Sequence, residues 1–171
     1  MFSCRENIQK LNVSPSLIIE KMAENCHQKS DVHCEFYENS EDVPDPRNLS
    51  TSCKNLIIFD DIMLLKQNKC ESYYVRGRHS NVDCFYLAQN HFMLPRQTIR
   101  GSANFIILFK QDLKNLNHIY NDHVSNDMTK EEFRILCKKA WKNPHGFVVV
   151  DLSIDPQNGK YRSGFDEFYI T

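Results

Sequence analysis

The sequence predicts an α/β protein with a mainly parallel sheet flanked by helices and a hairpin near the carboxyl terminus, and three observations predict it. Leu56-Ile-Ile-Phe carries no polar side chain and stops on two adjacent carboxylates, Asp60 and Asp61. A second strand-like run, Val82 to Leu87, leads into the polar amides Gln89 and Asn90. Residues 62–81 between them are long enough for the right-handed crossover that parallel neighbours require. Continuous apolar runs suit strands covered on both faces, as in parallel sheets. The two polar endings then deliver Asp60, Asp61, Gln89 and Asn90 to one crevice at the carboxyl edge, where open α/β sheets bind ligands.

The remaining elements follow in chain order. Ser14-Pro15 with Leu17, Ile18, Ile19, Met22 and Ala23 has a cap residue, proline at the first helical position and helical apolar spacing, which predicts a helix ending near Gln28. His33 to Tyr37 reads as a short strand, and the polar stretch Glu38 to Lys54, with Pro44 and Pro46 around Asp45, reads as a surface loop. Pro95 to Arg100 reads as a short helix stopped at Gly101, and Asn104 to Phe109 as a third buried strand of the parallel sheet. Leu113, Leu116 and Ile119 mark an amphipathic helix over 112–120. Thr129 and Glu132 form a capping-box pattern for a helix to Trp141, with Lys138, Lys139 and Lys142 toward its negative end. Phe147 to Val150 is a fourth apolar strand, and Asn158-Gly159 after it signals a hairpin. Residues 1–35 thus read as an amino-terminal helix and linker, and 36–171 as the α/β domain.

Composition narrows the function classes. With 171 residues, 25% charged and 41% hydrophobic, the chain has the make-up of an ordinary globular domain. A net charge of −1 gives no overall electrostatic footprint for nucleic acid or anionic lipid, so any such contact is local. No apolar run approaches the roughly 18–20 residues of a membrane span, and the first residues lack the pattern of a secretory signal. Seven cysteines, an odd number without paired spacing, predict reduced thiols in an intracellular compartment. Cys26-His27 and His33-Cys34 lack the two-residue spacer that lets neighbouring ligands converge on one zinc ion.

In P-loop NTPases a carboxylate at the end of a buried strand holds the magnesium of a nucleotide whose phosphates lie on a glycine-rich loop. None of the five glycines here falls in a Gly-x-x-x-x-Gly-Lys-Ser/Thr pattern. An ordered series of segments is more specific than that single strand: Leu56-Ile-Ile-Phe-Asp-Asp-Ile-Met, Tyr74-Val-Arg-Gly-Arg-His-Ser-Asn, Phe85-Tyr-Leu-Ala-Gln-Asn-His, Leu94-Pro-Arg-Gln-Thr-Ile-Arg and Ile119-Tyr-Asn-Asp-His. Over roughly residues 36–171 this series resembles the carboxyl-terminal half of the DNA-packaging ATPases of large DNA viruses and Polinton or Maverick transposons. These belong to the FtsK–HerA division of P-loop ATPases.

The resemblance implies a partial RecA-like fold, with ATP and magnesium as cofactors of the intact family protein. It implies that Asp60 matches the magnesium-holding Walker B acid, Asp61 the acid that orients the attacking water, and Gln89 the polar sensor on the next strand. Asp61 stands where that division usually has glutamate. Arg76 and Arg78 lie where such families place a basic residue that reaches a neighbour's phosphate. Double-stranded DNA, a homo-oligomeric ring and capsid components are the implied partners, without a membrane. The location is cytoplasm or nucleus, or the virion if the protein is viral. The family's phosphate-loop strand lies inside the sheet, between the sensor strand and the next. Without it, the chain alone is expected to bind ATP poorly and to leave strand edges unpaired.

Each residue also has a plainer role. Asp61 and Gln89 suit the polar end of a strand, and Arg76-Gly-Arg-His79 suits a solvated basic loop. Two other functions therefore compete with a packaging-ATPase fragment: a non-catalytic module that docks on intact ATPase subunits or capsid components, and a metal-dependent hydrolase using Asp60, Asp61 and His79 or His91.

Overall fold

The computed structural model describes residues 35–37, 39, 41–60, 62 and 66–170. The chain divides into a unit ending at Asp42 and a unit spanning Val43–Thr171, and every helix and strand among the described residues belongs to the second. The expected helix over 14–28, the paired Cys26-His27 and His33-Cys34, and Asp61 lie outside the described residues. Glu35, Phe36 and Tyr37, at the end of the expected strand over 33–37, have no regular structure.

The first sheet is a parallel pair, as the crossover length predicts. β1 (Asn55–Asp60) lies beside β2 (Val82–Leu87), with Asn55 opposite Val82 and Asp60 opposite Leu87. The chain crosses over through α1 (Asn68–Arg76) and a 3-10 turn, Gly77–Ser80. Asn81 then takes a left-handed conformation with φ 54°, which asparagine adopts more readily than most residues, and its Nδ2 donates to the Cys53 carbonyl just before β1 at 2.8 Å. One face of the pair is packed. Phe59 meets Tyr73 of α1 edge to face at 5.7 Å, and Val43, Cys70, Val82 and Ile99 complete the cluster. Tyr73 also donates its hydroxyl to the Pro44 carbonyl at 2.9 Å, which draws the preceding loop onto the helix.

The expectation that these strands are buried on both faces is overturned. Leu56, Ile58, Phe85 and Leu87 are 58%, 57%, 49% and 50% exposed. Side chains alternate along a strand, so these four share the outer face, and among the described residues a single layer covers the pair from the inner side only.

Asn104–Phe109 does not join the parallel sheet. β3 (Phe105–Leu108) pairs antiparallel with β4 (Val148–Asp151), with Leu108 opposite Val148. The reason is the number of reversals between them. α2 (Leu113–His123) and α3 (Lys130–Ala140) form two successive helices, which return the chain to the end where β3 finished, whereas a single helix would return it to the start. The sheet continues antiparallel through β5 (Tyr161–Ser163) and β6 (Glu167–Tyr169) in the order β3-β4-β5-β6. The protein is thus mixed α/β, with a two-stranded parallel sheet and a four-stranded antiparallel one, rather than mainly parallel.

The helices predicted over 112–120 and from Thr129 to Trp141 both form. Asp112 caps α2 through its side chain, which accepts from the Asn115 amide at 2.7 Å. Thr129 and Glu132 make the reciprocal capping box of α3. Phe133, Leu136 and Cys137 of α3 and Leu116 and Ile119 of α2 bury against Leu108, Val148 and Val150. The hairpin between β4 and β5 is present with a wider loop than a two-residue turn. A 3-10 turn, Pro156–Asn158, ends on Gly159 at φ 89°, where a Cβ would also stand 2.4 Å from the Phe168 ring.

Candidate functional site

The parallel register decides what the sheet's carboxyl edge presents. Asp60 ends β1 opposite Leu87, and Gln89 follows two residues later, so both leave the sheet at one edge, and both are exposed. Asp60 shares the outer face of Ile58 and Leu56 by alternation. Asn90 is spent on local structure, because its Oδ1 accepts from the Phe92 amide at 3.0 Å and starts a 3-10 turn, His91–Met93. Asp61 is not among the described residues.

Two residues that the sequence did not single out hold this edge. Tyr86 donates its hydroxyl to Gln67 Oε1 at 3.0 Å, and Gln67 Nε2 donates to the Ile62 carbonyl at 2.7 Å. They tie the segment that leaves β1 to β2. A tyrosine three residues before the sensor position was the available signal.

Arg76, Arg78 and His79 come out at the other edge. They precede β2, whose first residue faces the first residue of β1. Asp60 lies the length of the strand away, roughly 16 Å at about 3.3 Å per residue. All three side chains are exposed, and neither arginine makes an ion pair among the described residues. Within one chain they do not converge on Asp60.

Just past the carboxyl edge the chain builds a half-buried polar cluster. His91 Nε2 lies 3.3 Å from His123 Nε2 at the end of α2, with the rings edge to face. Asp122 is bonded to Arg100 Nη1 through Oδ2 and stands 3.9 Å from Arg96 through Oδ1. Arg100 comes from a turn of π-helix, Arg96–Arg100, stopped at Gly101 as the sequence suggests, and its Nε donates to the Leu94 carbonyl at 3.0 Å. Burial, with the His123 and Arg100 charges, pushes the His91 imidazole down to about 4. Burial also lowers His123, against the opposing pull of Asp122. Nδ1 of His91 is buried without a hydrogen-bond partner.

Chemically, the edge offers an exposed carboxylate and an amide, a pairing suited to a hydrated divalent cation. The described residues include no glycine-rich turn that could cradle phosphates. The residues present therefore fit the magnesium part of a nucleotide site and do not fit its phosphate part. Comparison with protein families, with curated proteins and with solved structures finds no match to this chain.

Proposed function

We propose that this chain supplies the acid-and-sensor part of a DNA-packaging or DNA-translocating ATPase, with Asp60 as the magnesium-holding acid and Gln89 as the sensor. The phosphate loop comes from another stretch of polypeptide. The observation that carries this reading is the parallel register that brings Asp60 and Gln89 to one sheet edge. The uncovered apolar face beside them supports it, because a strand and helix bearing a phosphate loop would bury that face. The finer assignment to a RecA-like fold rests on the same two features and on the ordered motif series. ATP with magnesium serves the assembled protein, and double-stranded DNA passes through the ring that its subunits form.

In this reading Arg76 and Arg78 act on a neighbouring subunit's nucleotide, since their own Asp60 is a strand length away. The decisive experiment joins a phosphate-loop segment upstream and mixes two inactive variants, Asp60→Ala and Arg76→Ala with Arg78→Ala. Mixed rings recover DNA-stimulated turnover, because each variant keeps what the other lacks and a trans-acting arginine is worth about a thousandfold or more in rate. Co-assembled mixtures as inactive as their parents would refute the trans role, and turnover that survives Asp60→Ala would refute the magnesium assignment. The exposed face equally suits a non-catalytic module that docks on intact subunits or capsid components. That reading predicts capture of those partners by the unmodified chain and no gain of turnover on joining the loop.

A further inference from the structure

We propose that His91, His123 and Asp122 form a binding site for a divalent transition-metal ion of the zinc type, separate from the magnesium position at Asp60. Two features carry it. The first is donor geometry. Two bonds of about 2.0–2.1 Å to a tetrahedral zinc ion hold imidazole nitrogens about 3.3–3.4 Å apart. The two Nε2 atoms already stand at 3.3 Å, and the three donors all lie within 4.8 Å of one another.

The second feature is the state of the donors. Metal ligation needs neutral imidazoles with free lone pairs and an ionised carboxylate. Asp122 binds Arg100 through Oδ2, which leaves Oδ1 with only the long contact to the exposed Arg96. Arg100 then stands behind the carboxylate as an orienting partner, and because the two charges cancel, the pair adds little net repulsion toward an incoming cation.

One polar group at the pair is unmet, and it bears on affinity. One proton shared between the two Nε2 atoms leaves Nδ1 of His91 either a buried acceptor without a donor or a buried donor without an acceptor. A ring pair that faces nitrogen to nitrogen in this way lacks a complete hydrogen-bond account. An ion between the Nε2 atoms replaces their mutual contact with two coordinate bonds. A histidine ligand normally has its second nitrogen held by an acceptor worth about 10–100-fold in affinity, and His91 lacks one, so the site binds more weakly than one with that support. The N,N,O set leaves a fourth position for water. The ion would clamp the His91–Met93 turn to the end of α2.

Cobalt(II) and zinc titrations of the full chain, kept reduced without added thiol, test this. One equivalent of cobalt should give the visible bands of a four-coordinate nitrogen and oxygen site, and zinc should displace it and raise the melting temperature. His91→Ala and His123→Ala should lose both effects. His118→Ala should keep them, because that ring stacks on Phe92 at 4.4 Å and is no ligand. Ring resonances of His91 and His123 in the unmutated protein should shift with the first equivalent of zinc, a readout that depends neither on how the variants fold nor on thiols that bind metal elsewhere. Failure of those two rings to shift at saturating zinc, or full binding by both histidine variants, would overturn the site.

Discussion

Replacing Asp122 by alanine tests the charge pair with Arg100 that joins the turns after β2 to α2. Arg100 and Asp122 are 9% and 18% exposed in their side chains, so the pair is largely withdrawn from water. An exposed pair of this kind is worth about 0–1 kcal/mol, whereas removing one partner of a buried pair costs about 3–5 kcal/mol because the other charge is stranded. Arg100 would keep the Leu94 carbonyl at 3.0 Å and the Phe92 ring at 5.8 Å, which offsets part of the loss. We therefore expect Asp122→Ala to destabilise by about 3 kcal/mol, a large share of the 5–15 kcal/mol typical of a domain. Urea unfolding with chelator present measures this without any contribution from metal. Arg100→Met added to Asp122→Ala removes the stranded guanidinium, so the double variant should be more stable than the single one by about 1–2 kcal/mol. A cost below about 1 kcal/mol for Asp122→Ala, or a double variant weaker than either single one, would refute the claim that a desolvated pair joins these elements.

Four further outcomes are expected. Phe85→Ser with Leu56→Ser should change unfolding free energy by less than about 1 kcal/mol while lowering binding of a hydrophobic dye, since surface substitutions do little to stability; a loss of several kcal/mol would mean that the face is covered. Tyr161→Phe should cost about 1.5–3 kcal/mol by removing the 2.6 Å bond to the Asp127 carboxylate, read by thermal unfolding. Burial pushes the Asp127 carboxyl up, but hydrogen bonds from Lys160 and Tyr161 outweigh it and hold the group below its ordinary range, so its contribution is present above about pH 4 and is lost as acid protonates it; Asp127→Asn should flatten the stability profile in that range. With an alkylating reagent at neutral pH, exposed Cys53 should react first among the described cysteines, and Cys70 and Cys137, whose thiols burial pushes up to about 12, should react only on unfolding, as mass spectrometry of timed samples would show.

The parallel pair was legible because a local pattern and a loop length specify it: Leu56–Phe59 and Val82–Leu87 are strand-like, and 62–81 has room for a crossover. The capping box at Thr129 was legible for the same reason, since its two bonds join residues three apart. The partner of β3 was not read correctly, because apolar content alone does not say which strand it meets. Counting the two helices between β3 and β4 would have pointed to an antiparallel pair. The His91 and His123 pairing lies 32 residues apart in sequence and leaves no periodic trace. At Leu56–Phe59 an unbroken apolar run was read as burial on both faces. Such a run states only that both faces are apolar, and what covers the second face is a property of some other segment.

That uncovered face bears directly on what the edge at Asp60 can do. Phosphoryl transfer depends on positioning and charge stabilisation around the phosphates, and an exposed carboxylate at a strand end supplies a metal ligand but no enclosure. The same four side chains that lie open beside Asp60 would exclude water once a strand and helix were laid on them. β2 and β3 are both edge strands among the described residues, each with an apolar outer face, Phe105 and Ile107 being the exposed pair on β3. Unpaired edges of this kind invite strand addition. A segment that pairs along β2 would run beside Leu87 and end at the edge where Asp60 and Gln89 emerge, so the pairing that satisfies the backbone would also bring its loop to the acid. Under the proposed function, completion of the sheet and completion of the site are one event, and the unmodified chain should show neither ATP turnover nor tight ATP binding until that segment is supplied.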